Sequence, residues 1–287
     1  MRIETKELKF TYGANSTIAT RALDGVNLLI EEGEFYGIIG KTGSGKSTFI
    51  QHINGLLKVQ KNSGKITVGE FDLADKKCDF KALRKKVGMV FQYPEYQLFA
   101  ETVYDDVAFG IKNFMPATKE CEISEMVENA LTLVGLNYKK IKDKSPFEMS
   151  GGQKRRVAIA GVIATRPEVL VLDEPAAGLD PKGKREFIQL LHQLHKDFVK
   201  TVIIVSHDMD LISENCTRVA VFDSGKIVTD GTPKQIFSFG EVLKAGLSLP
   251  VTQSLTQKLK GAGINLDSDL TIAYFTDKVL KALGGKL

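Results

Sequence analysis

The chain has 287 residues, 43% of them hydrophobic and 26% charged, and carries a net charge of +4; this is enough to bury one large α/β core, with or without an appendage. Basic and acidic residues are interspersed rather than blocked, so the small basic excess gives no case for nucleic acid. Cys78, Cys121 and Cys216 lie far apart with no C-x-x-C spacing, which suits a reducing compartment and argues against a disulfide framework or a zinc site.

In chain order, residues 1–39 alternate apolar and polar and end in the apolar run Phe35-Tyr36-Gly37-Ile38-Ile39. The pattern predicts antiparallel strands leading to one buried strand. A helix over 46–55 follows, then a strand pair over 64–73 with turn glycines at Gly64 and Gly69, and a second buried strand over 87–91 ending at Gln92. From 102 to about 135 the period becomes helical, with Val103, Val107, Ile111 and Phe114, then Met126, Ala130 and Val134, on one face. The basic run 139–144 reads as a solvated loop. A helix over 150–164, a strand over 168–173, a helix over 181–199, a strand over 201–206, a helix over 208–216 and a hairpin over 217–230 complete the core. This β/α alternation predicts a mostly parallel sheet covered on both faces. After residue 239, short helices over 251–259 and 270–283 form an appendage whose composition shows no chemistry; packing or dimer contact is its expected use. The first seven residues lack the apolar core of a signal peptide, and no apolar run approaches the roughly 18 residues of a spanning helix. Any work at a membrane is expected from its cytoplasmic side, through a partner.

The run Gly40-Lys41-Thr42-Gly43-Ser44-Gly45-Lys46-Ser47-Thr48 joins the first buried strand to the first helix. Its glycines let backbone N–H groups wrap a β-phosphate, Lys46 bridges β- and γ-phosphates, the Ser47 hydroxyl holds Mg²⁺, and the helix aims its positive end at the anion. In Val169-Leu170-Val171-Leu172-Asp173-Glu174 a buried strand ends in two acids. Asp173 is placed to bind Mg²⁺, directly or through water, and Glu174 to orient or deprotonate the attacking water. Ser150-Gly151-Gly152-Gln153 reads as a second anion site at a helix N-terminus, although alone it is equally an ordinary helix cap. One pocket needs one γ-phosphate cradle, so the second suggests service to another molecule's ATP.

The order phosphate loop, Gln92, Ser150-Gly151-Gly152-Gln153, Asp173-Glu174, Gly178-Leu179-Asp180 and His207 resembles the ATP-binding cassette (ABC) ATPases over about residues 1–235. The resemblance implies an α/β fold of the P-loop NTPase class, with a mostly parallel core sheet, an antiparallel N-terminal subdomain and an inserted α-helical subdomain at about 93–165. The nucleotide-binding domain is then 1–238 and the helical extension 239–287. It further implies that Tyr12 stacks on adenine, with Phe10 as its rival because alternation points both to one side. Gln92 senses Mg²⁺ and the γ-phosphate, Asp180 communicates across a dimer, and His207 contacts the γ-phosphate. On chemistry alone, Gln92 is also an ordinary strand-end residue and His207 a cap.

Two further stretches narrow the resemblance to energy-coupling factor transporters. These are Phe91-Gln92-Tyr93-Pro94-Glu95-Tyr96-Gln97-Leu98-Phe99 with Glu101–Gly110 after it, and Pro146-Phe147-Glu148-Met149 before the Ser-Gly-Gly-Gln run with Arg155–Gly161 after it. Tyr-Pro-Glu-x-Gln-Leu-Phe is closer to the second of that family's two paralogous ATPases, and the extension is also similar. The likeness implies an ATP- and Mg²⁺-dependent subunit paired with a paralogous ATPase under a transmembrane coupling protein (T component). Separate membrane proteins (S components) capture vitamins or metal ions. Met149 stands where Leu is commoner and Ala176 where Thr is frequent; neither removes a charge or a phosphate donor. The acids Glu95, Glu101, Asp105 and Asp106 either serve a helix N-terminus or receive arginines from the coupling protein. The ATPase of another importer, or a homodimeric cobalt/nickel-type form, is the nearest alternative, and a soluble ABC ATPase a more distant one.

Overall fold

The computed structural model describes residues 1–14, 17–238, 240–261, 266 and 271–282. The chain begins with β1 (Ile3–Tyr12), β2 (Thr20–Ile30) and β3 (Phe35–Gly40), followed by α1 (Lys46–Ile53), β4 (Lys65–Val68), β5 (Phe71–Asp72), α2 (Phe80–Lys86) and β6 (Val87–Val90). Helices α3 (Val103–Phe114), α4 (Glu120–Leu133), α5 (Tyr138–Ile141) and α6 (Gly151–Ile163) come next. Alternation then resumes with β7 (Val169–Asp173), α7 (Pro181–Asp197), β8 (Thr201–Val205), α8 (Met209–Asn215), β9 (Arg218–Asp223) and β10 (Lys226–Gly231). The chain closes with α9 (Pro233–Ser238), α10 (Glu241–Lys244), α11 (Val251–Gly261) and α12 (Ile272–Ala282).

The central sheet runs β10-β9-β3-β8-β7-β6, parallel except for the antiparallel edge strand β10. Strands β2-β1-β4-β5 form a separate antiparallel sheet. Alternation along the central strands sorts the core into two layers. Tyr36, Ile38, Val169, Val171, Ile203 and Val205 face the antiparallel sheet and α1. Phe35, Ile39, Leu170, Leu172, Val202 and Ile204 face the helices. Each fully buried Val, Leu or Ile contributes roughly 1.5–3 kcal/mol, so the strands meeting at the phosphate loop are among the best-anchored parts of the fold. Their carboxyl ends lie side by side, where an open parallel sheet places its ligand.

The long helical block predicted over 102–135 is two helices. Met115 precedes Pro116, whose ring disfavours helical backbone at the residue before it, and α3 stops at Phe114. The sequence pattern missed α2, which has seven residues and one buried side chain, Leu83. The basic run is not merely a solvated loop: Lys144 and Lys142 carbonyls accept from the N–H groups of Val103 and Tyr104 and so cap α3. In the hairpin, Ser224 and Gly225 both have positive φ (49° and 77°), as a tight turn between right-twisted strands requires. The appendage packs on α8, with the Val251 N–H on Asp210 at 2.8 Å and the Ile272 N–H on Glu214 at 3.2 Å. Residue 239, and residues 270 and 283 at the ends of the predicted final helix, lie outside the described residues.

Candidate nucleotide and hydrolysis site

Strand β3 delivers the loop Gly40 to Thr48 at the head of α1. Gly45 has φ 103°, and a Cβ there would collide with the carbonyl of Ala22, as one on Gly40 would with that of Phe222. The loop therefore lies flush against β2 and β9, which turns its backbone outward. Gly45→Ala is expected to cost about 2 kcal/mol or more of stability and to weaken nucleotide binding. Chemical denaturation and a nucleotide titration read the two effects. Gly43, with nothing around it, and the side chains of Lys41, Thr42 and Ser47 lie on the open side, while Ser44 and Thr48 are buried.

Lys46 is buried, and its Nζ donates to the Gly40 and Lys41 carbonyls at 2.7 Å each. Burial pulls its pKa down, and the charges of Glu174 and Asp173 partly offset that. Asp173 is also buried; burial raises its pKa, while the nearby Ser47 hydroxyl works the other way. The hydroxyl and carboxylate expected to share a metal are thus neighbours. One hydroxyl and one acid, with phosphate oxygens and water completing the shell, fit Mg²⁺, which dehydrates reluctantly and is held by few protein ligands.

Parallel pairing of β7 with β8 sets Asp173 beside Val205. Glu174 then meets the chain emerging from β8: its carboxylate lies 2.9 Å from His207 Nδ1 and 3.5 Å from Ser206 Oγ. Its backbone φ is 47°, an uncommon conformation for a non-glycine residue that costs of order 1–3 kcal/mol. Gln92 is exposed two residues past the paired Val90–Leu172 position, at the carboxyl end of β6. Tyr12 is 43% exposed, its hydroxyl 3.2 Å from Thr48 Oγ1. Phe10 packs edge-on beneath it and is buried against His52, which removes it as a rival stacking platform.

The Ser150 run sits apart, at the N-terminus of α6. Ser150 and Gln153 cap each other reciprocally, the Gln153 N–H donating to Ser150 Oγ at 3.4 Å and the Ser150 N–H to Gln153 Oε1 at 3.1 Å. All four residues are exposed, and a Cβ on Gly151 or Gly152 would meet nothing within 4 Å. Glycine in a first helical turn costs stability relative to alanine, and nothing in this chain's own packing calls for it. Asp180, exposed after Gly178, caps α7 by accepting from the Gly183 N–H at 2.7 Å. Met149 and Ala176 both pack in or against the helical-side core, so these two departures leave the site intact. The residues thus form two groups: Lys46, Ser47, Asp173, Glu174 and His207 converge, while Ser150 to Gln153 face outward. Sequence reasoning missed Ser206 and the buried Arg155.

The model of the ABC transporter family matches residues 23–177. The chain is 48% identical over its whole length to 99% of the energy-coupling factor transporter ATP-binding protein EcfA2 of Clostridium tetani. It is 47% identical over 99% of both chains to the protein of the same name from Clostridium perfringens. Among solved structures, cbiO1 of Clostridium perfringens, part of the ABC transporter complex cbiONQ, superposes with a TM-score of 0.72 at 40% identity over 89% of this chain and 98% of that one. The dimeric cassette MJ0796 bound to ADP and Pi gives 0.71 at 30% identity over 80% of this chain and 98% of that one. A glycine-rich loop meeting two strand-end acids, in a chain with these relatives, places the protein among the ABC transporter ATPases and, within them, in the family of energy-coupling factor transporter ATP-binding proteins.

Proposed function

We propose that this chain is one of two ATPase subunits that drive an energy-coupling factor importer. ATP is bound between its own phosphate loop and the Ser-Gly-Gly-Gln run of a paralogous subunit. The observation that carries the reading is the division of the site residues. One chain provides the phosphate cradle, metal anchors and Glu174–His207 pair, while its second anion-binding turn faces away, exposed and built of glycines its own packing does not use. The dimeric cassette with ADP and Pi supports the same reading.

Position supports the following roles. Tyr12 stacks on the base, and the loop N–H groups and Lys46 hold the β- and γ-phosphates. Bound at Ser47, Asp173 and Gln92, Mg²⁺ would neutralise charge on the phosphate oxygens. Glu174 orients the water that attacks the γ-phosphorus and takes its proton as the bond to the ADP oxygen breaks, releasing ADP and phosphate. His207, 2.9 Å from Glu174, holds that carboxylate and reaches the γ-phosphate. Asp180 lies on the loop facing the other subunit. In this reading 1–238 is the ATPase domain, about 93–165 its helical part and 239–287 an extension. No helix among the described residues is long and apolar enough to cross a membrane. In this reading a coupling protein with S components supplies the membrane part, with this subunit on the cytoplasmic face.

That partner's docking place is a cleft of about 260 Å³ beside Gln92, lined by Leu56, Phe91, Phe99, Phe109 and Phe114 with Asp106 at its edge. Phe99 and Phe109 are more than half exposed or nearly so, at 57% and 50%. The acids separate into two kinds. Asp106 accepts from the Phe99 and Ala100 N–H groups and so builds the cleft, whereas Asp105 is exposed beside Thr102 and Lys112. Asp105→Lys is expected to reduce co-purification with the coupling protein while ATP affinity stays unchanged. Undiminished co-purification would remove Asp105 from that interface.

A further inference from the structure

Arg155 lies in the second turn of α6, just past the Ser-Gly-Gly-Gln run, yet only 6% of its surface is exposed. A buried guanidinium carries a desolvation cost of several kcal/mol unless its donors are used. Two are used: Nη1 donates to the Ala177 carbonyl at 2.8 Å, and Nη2 to the Pro175 carbonyl. These carbonyls belong to the turn immediately after Glu174, the residue whose own backbone sits at φ 47°. Besides the fork, that turn is held by the Glu174 N–H on the Val205 carbonyl at 2.9 Å, the Ala177 N–H on the Glu174 carbonyl at 3.1 Å and the Leu179 N–H on the Ala176 carbonyl at 3.2 Å.

The third nitrogen, Nε, is buried with no hydrogen-bond partner among the described residues. Oε2 of Glu95, in the turn that follows Gln92, is likewise buried and unpartnered. That turn packs on α6. Burial pulls the Arg155 pKa down and the Glu95 charge acts against it, so the two groups feel each other without being bonded. Each buried group left without a partner costs stability, and these two carry opposite charge.

We infer that Arg155 is a positioning residue: its fork fixes the turn that aims Glu174, and its free donor takes Glu95 when the helical part closes. The consequence is a link between two catalytic sites. The helix that offers Ser150 to the partner's ATP also holds the turn behind this chain's own Glu174, so engagement at one site sets the acid at the other. The inference rests on Glu174 being the group that handles the attacking water.

The test uses the purified transporter complex carrying Arg155→Met, Arg155→Lys, Glu95→Gln or Glu174→Gln in this subunit. A reacting group displaced by about 1 Å loses about a hundredfold in rate, so Arg155→Met is expected to lower kcat by about that factor with KM for ATP within about twofold. Arg155→Lys, which keeps the charge but not the fork, should recover less than a tenth of the lost rate. Glu95→Gln should lower kcat by itself and add nothing in the Arg155→Met background, because both act through one contact. Arg155→Met turnover within about twofold of wild type, full rescue by lysine, or a loss confined to KM and thermal stability would each overturn the inference. A Glu174→Gln complex that hydrolyses normally would instead overturn the reading beneath it, whatever the arginine variants do.

Discussion

The Glu174→Gln subunit is expected to bind ATP, remain closed on its partner and lose turnover at its own site by two to four orders of magnitude, the contribution of a well-placed general base. The carboxylate lies beside His207 and Ser206, and its charge is felt by the buried Lys46 and Asp173. The Glu174 backbone, at φ 47°, is held at the end of β7 by its N–H on the Val205 carbonyl. The amide has nearly the same shape and still accepts a hydrogen bond from His207, but it cannot take the proton of the attacking water. Steady-state ATPase of the assembled complex measures the loss, and sedimentation with ATP measures the closed pair. Substantial hydrolysis at the mutant site would transfer the base function elsewhere.

Lys46→Met carries the second large effect, on binding rather than turnover. Lys46 is a buried cation held by the Gly40 and Lys41 carbonyls, ready to exchange those partners for phosphate oxygens. Removing a charge-assisted contact of this kind costs about 3 kcal/mol, or about a hundredfold in affinity. Methionine fills similar volume, so the unliganded fold should survive, and isothermal titration of the isolated subunit separates the two. The same burial sets a pH dependence. Burial lowers the pKa of Lys46, and only the protonated form binds phosphate well. ATP affinity should therefore decline on the alkaline side at a lower pH than an ordinary lysine would give, and the Met variant should lack that decline.

The parts of the site that were legible in the sequence are those where chemistry and burial coincide locally. Val169 to Glu174 and Phe35 to Thr48 each join a strand buried on both faces to a polar tip, and both patterns survive without knowledge of the rest of the chain. Element α2 was not legible, since seven residues with Leu83 alone buried carry no period. Its one signal was Asp79, which caps it by accepting from Lys81 and Ala82. Arg155 was illegible for a different reason. An arginine amid a polar helical start reads as a surface residue, and only the approach of Pro175 and Ala177, 20 and 22 residues away, buries it. Asp106 likewise reads as one more exposed helix-start acid until the Phe99–Ala100 backbone folds onto it. Alternation correctly placed Phe10 and Tyr12 together, but depth below the surface, set by α1 and His52, separates them.

Ser150→Arg tests the central claim, that the exposed Ser-Gly-Gly-Gln turn serves ATP bound to the other subunit. A large cation there should obstruct the partner's nucleotide while leaving this chain's phosphate loop untouched. Two quantities are measured on the same variant: ATP affinity of the isolated subunit, and ATP-driven closure with its paralogue. Unchanged affinity with closure abolished is the predicted result. Weakened ATP binding by the isolated subunit, or closure at the wild-type level, would contradict the account.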